Sequence, residues 1–335
     1  MASEIESLLE YALNIGASEL IVTEGAPSAV RFAGRVCAVP ESSVLPFGSL
    51  LEFLGSIEGE SGTFIGGPWV NAKWRVKYFR EALGNAAIFR PLMADCPEFK
   101  ALGAPASLDN LLGLSSGLVI FAGPACSGKT VTATSYVSAM CSSGILRYCD
   151  LDEGHELHVK TGESLKLVNT VGSTSEKLEQ GLRSGTDLFW LGDFDGASLI
   201  SVLRAAEAGA LVVMNVTAGN AVGVIDALLS TVAPENRDLV RTMLAAALKA
   251  VVVQRLLPAA AEGGSAVPAW EILFNTQNVA AHIRGSDHFK LPSVMAASAS
   301  EGMLLMDACL AELVRSNYVT AEEAGRYVSN PVRLA

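Results

Sequence analysis

Gly123, Gly128, Lys129 and Thr130 stand at the spacing G-x-x-x-x-G-K-[ST] within the stretch LVIFAGPACSGKTVTAT, residues 118–134. Chemistry explains that spacing. Glycines let the backbone turn tightly, so that successive N–H groups and the start of a helix face a single anion. A lysine at this position supplies a point charge for the β- and γ-phosphates of a nucleotide, and the hydroxyl that follows it is a ligand for Mg²⁺. Gly123, Pro124, Ala125, Cys126, Ser127, Gly128, Lys129, Thr130 and Val131 are therefore the candidate nucleotide-binding residues, Thr130 is a candidate metal ligand, and ATP and Mg²⁺ are the expected cofactors. The motif carries meaning only between a strand and a helix. Here the apolar run LVIFA precedes it and a segment able to start a helix follows.

The elements that must hold this loop are legible on both sides of it. From residue 118 onward apolar runs alternate with helical patterns: 144–150, 187–192, 210–216, 250–257 and 270–274 read as strands, and 303–327 as two helices around Tyr318, Val319 and Thr320. That alternation predicts an α/β domain with a parallel sheet and helices on both faces. Before the loop, Ile5, Leu8, Leu9, Ala12 and Leu13 recur at helical spacing. Short alternating runs follow at 19–23, 29–32, 35–39, 74–79 and 86–90, with helical spacing at 49–57. They predict a small α+β domain on an antiparallel sheet. Residues 91–109, rich in Pro, Ala and Gly, read as the linker, so the expected domains are 1–100 and 101–335.

Composition narrows the class. A chain of 335 residues, 50% apolar and 18% charged, is globular and long enough for two cores. The net charge of −11 lacks the basic footprint of a nucleic-acid binder. No apolar run reaches the ~20 residues that span a bilayer; residues 243–261 come nearest but contain Lys249, Gln254, Arg255 and Pro258, and read as a buried helix followed by a strand. The acidic, amphipathic start is not a signal peptide, and six scattered cysteines without a C-x-x-C pair predict free thiols in a reducing, cytoplasmic setting. His155 and His158 are three residues apart but bring no further ligands, so they do not make a metal site.

In the order of its segments the chain resembles the pilus-retraction ATPases (PilT-like) of the type II/IV secretion ATPase superfamily. GASELIVTEGAPSAVRFAGRV has the cadence of that family's GASDLHLxxGxPPxxRxxGxV, and RVKYFREALGNAAIFR, AVVVQRLLP, LPSVMAASASEGMLLMD and VTAEEAGRYVSNP follow family patterns in the same order. The resemblance implies a PAS-like N-terminal domain and a RecA-like motor domain with C-terminal helices. It also implies a ring of six subunits, with ATP between the two domains and arginines contributed across an interface. Hydrolysis would then drive filament disassembly on a pilus platform protein at the inner membrane, with the ATPase on the cytoplasmic side.

Carried over residue by residue, the resemblance supplies catalytic candidates and marks departures. DLFWLGD, residues 187–193, holds the Walker B place, where Asp193 replaces Glu as the residue that would polarise water or bind Mg²⁺. One methylene shorter, it changes the reach, and about 1 Å of misplacement costs on the order of 100-fold in rate. The acidic box IEDPIE is reduced: Cys149 replaces its first Glu and Leu151 its Pro, while Asp150 and Glu153 are kept, Glu153 as the candidate base and Asp150 as its support. The two histidines of the box H-x-x-x-x-x-x-H are Ala210 and Thr217, and Phe194-Asp195-Gly196 replaces M-R-D. Arg75, Arg90 and Arg183 match family arginines, Arg75 and Arg90 as possible stabilisers of transferring phosphoryl charge, whereas another is Leu83. Two functions are compatible with this pattern. One is an ATP-hydrolysing hexameric motor of the type IV pilus retraction (twitching motility) type. The other is a weak or inactive nucleotide-binding paralogue that joins or regulates a ring of active ATPases.

Overall fold

The computed structural model describes residues 4–40, 42–55, 59–82, 84–92, 96–151, 157–167, 172–192, 194–261 and 265–328. By its contacts the chain divides into two compact units, Met1–Asp95 with Leu256–Val267, and Cys96–Arg255 with Pro268–Ala335.

The first unit holds helices α1 (Glu4–Asn14) and α2 (Ser49–Leu54) and strands β1 (Glu19–Thr23), β2 (Ala29–Phe32), β3 (Arg35–Ala38), β4 (Ser61–Trp69), β5 (Ala72–Glu81) and β6 (Gly84–Leu92). The strands form one sheet in the order β3-β2-β1-β6-β5-β4, with antiparallel pairing throughout. Period-2 alternation puts Leu20, Val22, Val30, Trp74, Val76 and Phe89 in the core. The apolar stripe of α1, Ile5, Leu8, Leu9 and Ala12, packs in the same cluster. Glu24 is buried and accepts from the backbone N–H groups of Gly48, Leu50 and Asn85, which fixes the start of α2 and the β5–β6 turn. β4 escaped the pattern reading: its sequence SGTFIGGPW is punctuated by glycine and proline, and pairing with β5 rather than its own composition makes it a strand.

The strands of the second sheet are β7 (Gly117–Ala122), β8 (Arg147–Asp150), β9 (Leu165–Leu167), β10 (Leu188–Leu191), β11 (Leu211–Val216), β12 (Leu248–Leu257) and β13 (Val267–Phe274). Their order is β13-β12-β7-β11-β10-β8-β9, and the pairs from β12 to β9 are parallel. The connecting helices are α3 (Lys129–Ser143), α4 (Thr174–Arg183), α5 (Leu199–Glu207), α6 (Ala221–Ser230) and α7 (Arg237–Ala247), followed after β13 by α8 (Gln277–Arg284), α9 (Leu291–Ala297), α10 (Met306–Arg315) and α11 (Ala321–Gly325). β7, β10 and β11 are buried at every residue, as a parallel sheet covered on both faces requires. The three-residue β9 is too short to show a period and was not expected.

The stretch read as a linker is partly core. Phe99 and Leu108 lie on two short 3₁₀ turns, Phe99–Leu102 and Ala106–Gly113, and both are buried with Leu111 against Tyr136 and Phe121. The Tyr136 hydroxyl donates to the Leu111 carbonyl at 2.8 Å. Pro, Ala and Gly there shape a tight path over α3; they do not free the chain.

Candidate functional site

The loop between β7 and α3 has the form its sequence predicts. Gly123 has φ +155° and Gly128, at the N-cap of α3, has φ +82°. Cys126 also has positive φ, +61°. A β-carbon on Gly123 would come within 2.3 Å of Ser127 Oγ and 2.4 Å of the Gln254 carbonyl, so only glycine fits there. Ser127 N donates to Pro124 O at 3.3 Å, which closes the turn, and Thr132 N donates to Gly128 O at 3.0 Å as the helix begins. Lys129 and Thr130 thus open a 15-residue helix, and its positive end faces the loop. Lys129 is half-buried and has no ion-pair partner among the described residues.

Neighbouring strands brace this cradle. The hydroxyl of Thr132 donates to Gln254 Oε1 on β12 at 2.6 Å, and both residues are buried. On the other side of β7, Asn215 of β11 is 1% exposed, pairs in register with Phe121, and donates from Nδ2 to Thr130 Oγ1 at 3.3 Å. Two buried oxygens here have no partner among the described residues, Ser127 Oγ in the loop and Asn215 Oδ1 beside it. A glycine-lined cradle, a lysine with no counter-charge among the described residues and a helix N-terminus fit a polyphosphate, and the Thr130 hydroxyl fits a ligand to Mg²⁺. Pattern reading did not single out Asn215. Its signal was an amide inside the otherwise apolar strand LVVMNV.

Asp150, one of the acidic candidates, lies at the carboxyl edge of the same sheet. Strand spacing of ~4.8 Å sets β10 about 10 Å and β8 about 14 Å from β7 across the sheet. Asp150 closes β8 with its side chain 6% exposed, and it accepts from Lys166 Nζ of β9 at 3.0 Å. Cys149, at the position of the first Glu in the family box, is a neutral thiol: burial pushes it up to about 11, and the neighbouring Asp150 charge adds to that. Glu153 and Asp193, the two principal candidates for water activation, lie outside the described residues, as do His155 and Leu83. Asp195 lies just ahead of α5 and accepts from Ser198, the residue before the helix, from N at 2.9 Å and Oγ at 2.6 Å. Burial alone would raise its pKa, but those bonds outweigh burial and hold it below the ordinary value. At the histidine-box positions Ala210 is buried and Thr217 is exposed.

The two arginine candidates belong to the first unit, side by side across β5 and β6. Arg90 donates to the buried Glu19 from Nε at 2.8 Å, and Arg31 donates to the other carboxylate oxygen at 2.7 Å. Burial opposes ionisation of Glu19, yet the two guanidinium groups outweigh it and keep the carboxyl below its ordinary value. Arg183 is exposed and lies 3.8 Å from Glu179, a surface pair one helical turn away.

A phosphate loop at the carboxyl end of a central parallel strand, with Asp150 ending another strand of that sheet, defines a P-loop nucleotide-binding protein of the α/β class. The family model described as "Type II/IV secretion system protein" matches residues 87–324, and the chain belongs to that family. It is 27% identical over 342 residues to the type IV pilus retraction ATPase PilT of Pseudomonas aeruginosa, covering 96% of this chain and 97% of that one. It is also 27% identical over 264 residues to the twitching motility protein of Neisseria gonorrhoeae, covering 77% and 70%. The solved structure of the pilus retraction motor PilT with bound ADP superposes with a TM-score of 0.75 at 26% identity, covering 98% of both chains. The second unit therefore has the RecA-like motor architecture of these ATPases. Among the described residues no helix is long and apolar enough to cross a membrane.

Proposed function

We propose that this chain is an ATP-hydrolysing motor subunit of the pilus-retraction type, with residues 1–100 as its PAS-like domain and 101–335 as its motor. The observation that carries this reading is the complete phosphate cradle, from Gly123 to Thr130, in a chain collinear with PilT over nearly its whole length. ATP is held by the loop backbone and Lys129. Thr130 and Asp193 would hold Mg²⁺, which would supply neutralisation of the charge on the phosphates. Glu153 is the candidate base that orients water, and Asp193 shares that work. Asp150 holds the edge of β8 with Lys166, and Arg75 and Arg90 are the candidate stabilisers. The working unit is a hexameric ring, homomeric or mixed with a paralogous ATPase, acting on an inner-membrane pilus platform protein from the cytoplasmic side.

A specific pair of observations favours the regulatory alternative. The one described carboxylate of the acidic box, Asp150, is already paired with Lys166, and Thr217 cannot carry the charge of a histidine. Nucleotide binding and phosphate release on the purified protein, with Lys129→Ala as control, separate the two. Lys129-dependent release establishes the motor. Binding with release no faster than that of Lys129→Ala, in an assembled ring, sinks it and leaves a nucleotide-gated accessory subunit.

A further inference from the structure

Asn215 is built into the site in a way that the phosphate loop alone does not require. Strand β11 lies directly between β7, which feeds the loop, and β10, which leads to the Walker B acid. Asn215 is its penultimate residue, level with Phe121 and so on the same face of the sheet, the face that α3 covers. The other five residues of the strand are apolar and buried. An amide in that setting must be satisfied or be there for a partner. One arm is satisfied within the protein, since Nδ2 donates to Thr130 Oγ1 at 3.3 Å. The other is not: Oδ1 is cut off from solvent and has no donor among the described residues.

The chemistry of those two arms selects the occupant. Oδ1 only accepts hydrogen bonds, so it cannot bond a phosphate oxygen, which also only accepts. It calls for a strong donor within reach of the Thr130 hydroxyl. Thr130 Oγ1 keeps a second lone pair for a cation after accepting from Nδ2. A water bound to that cation is polarised and donates strongly. We propose that Asn215 is a positioning residue for Mg²⁺. Its Nδ2 orients the Thr130 hydroxyl, and its Oδ1 accepts from a water in the metal's own shell, so that the metal is held from strand β11 as well as from the loop. This inference rests on the nucleotide-binding reading above and adds to it a residue that reports on whether the metal is seated.

The test is binding and does not depend on turnover. A fluorescent ATP analogue is titrated in EDTA, and Mg²⁺ is then titrated onto the saturated complex, for the native chain, Asn215→Leu, Asn215→Asp and Lys129→Ala. Losing an outer-shell partner weakens metal affinity by 10–100-fold in known sites. Asn215→Leu is therefore expected to raise the Mg²⁺ midpoint at least about tenfold, while its nucleotide affinity in EDTA stays within about twofold of native. Asn215→Asp keeps an acceptor for the metal's water, replaces the Nδ2 donor by an oxygen to which the Thr130 hydroxyl itself donates, and adds a charge, so its midpoint is expected to fall. An unchanged midpoint in Asn215→Leu, with Lys129-dependent nucleotide binding intact, overturns the proposal alone. Should Asn215→Leu not fold by circular dichroism, Asn215→Asp decides: a midpoint unchanged or raised overturns it. Failure of the native chain to bind the nucleotide at all overturns the functional reading, and this inference with it.

Discussion

Gly123 and Thr132 show how little freedom the phosphate cradle has at the scale of single residues. At Gly123 a methyl group would press on the Gln254 carbonyl, a backbone atom that has no rotamer with which to yield. Gly123→Ala is therefore expected to lower nucleotide affinity at least about tenfold in a fluorescence titration, while far-ultraviolet circular dichroism remains native. Thr132 acts one turn into α3, where its hydroxyl ties the helix to β12 through Gln254. Thr132→Val keeps the shape but leaves the side-chain oxygen Oε1 of Gln254 buried without that donor. We expect about 1–3 kcal/mol of lost stability, read as a lower urea midpoint with unchanged slope. A midpoint within error of native would show that the bond contributes nothing net.

At the scale of elements, the rung Arg31–Glu19–Arg90 crosses β2, β1 and β6 and fixes their outer face. Arg90 matches a family arginine in sequence, and the structure gives its guanidinium a second task inside its own sheet. Removing it as Arg90→Met leaves the buried Glu19 with only Arg31, an expected loss of about 1–3 kcal/mol by thermal or urea unfolding. The pH dependence has a definite sign. The folded-state pKa of Glu19 lies below its ordinary value of 4.5, so its stabilisation is complete above that value. It is lost as pH falls through the folded-state pKa, because the unfolded chain takes up the proton first. Native protein is thus expected to lose stability more steeply than Arg90→Met as pH drops below 4.5. Parallel acid profiles for the two proteins would remove the rung from the account. Elements were legible where a helical period or a nearly unbroken apolar run marked them, as in α1 and β11, and illegible where pairing decided, as in β4 and β9.

For the whole molecule the net charge of −11 bears on assembly. Chains of like charge repel when they gather in a ring, and salt shortens that repulsion from ~30 Å at 0.01 M to ~8 Å at 0.15 M ionic strength. With nucleotide present, the assembled fraction measured by light scattering is expected to rise over that range. A fraction that falls would mean that specific cross-subunit ion pairs outweigh the net repulsion. The family was legible at this scale because several weak segments occur in one order, which no single segment could establish.

The amino-acid sequence alone determined the phosphate loop, the alternation that builds a parallel sheet around it, and membership of a secretion-type ATPase lineage. These are local properties: a glycine spacing, a hydrophobic period, a collinear set of short patterns. Tertiary structure decided which partners the chemical groups have. It bound Asp150 to Lys166 and Arg90 to Glu19, packed the presumed linker around Phe99 into the core, and brought Asn215 to Thr130 across 85 residues of chain. Those pairings depend on strand order and register, which are set by how a sheet closes and not by any short stretch of residues.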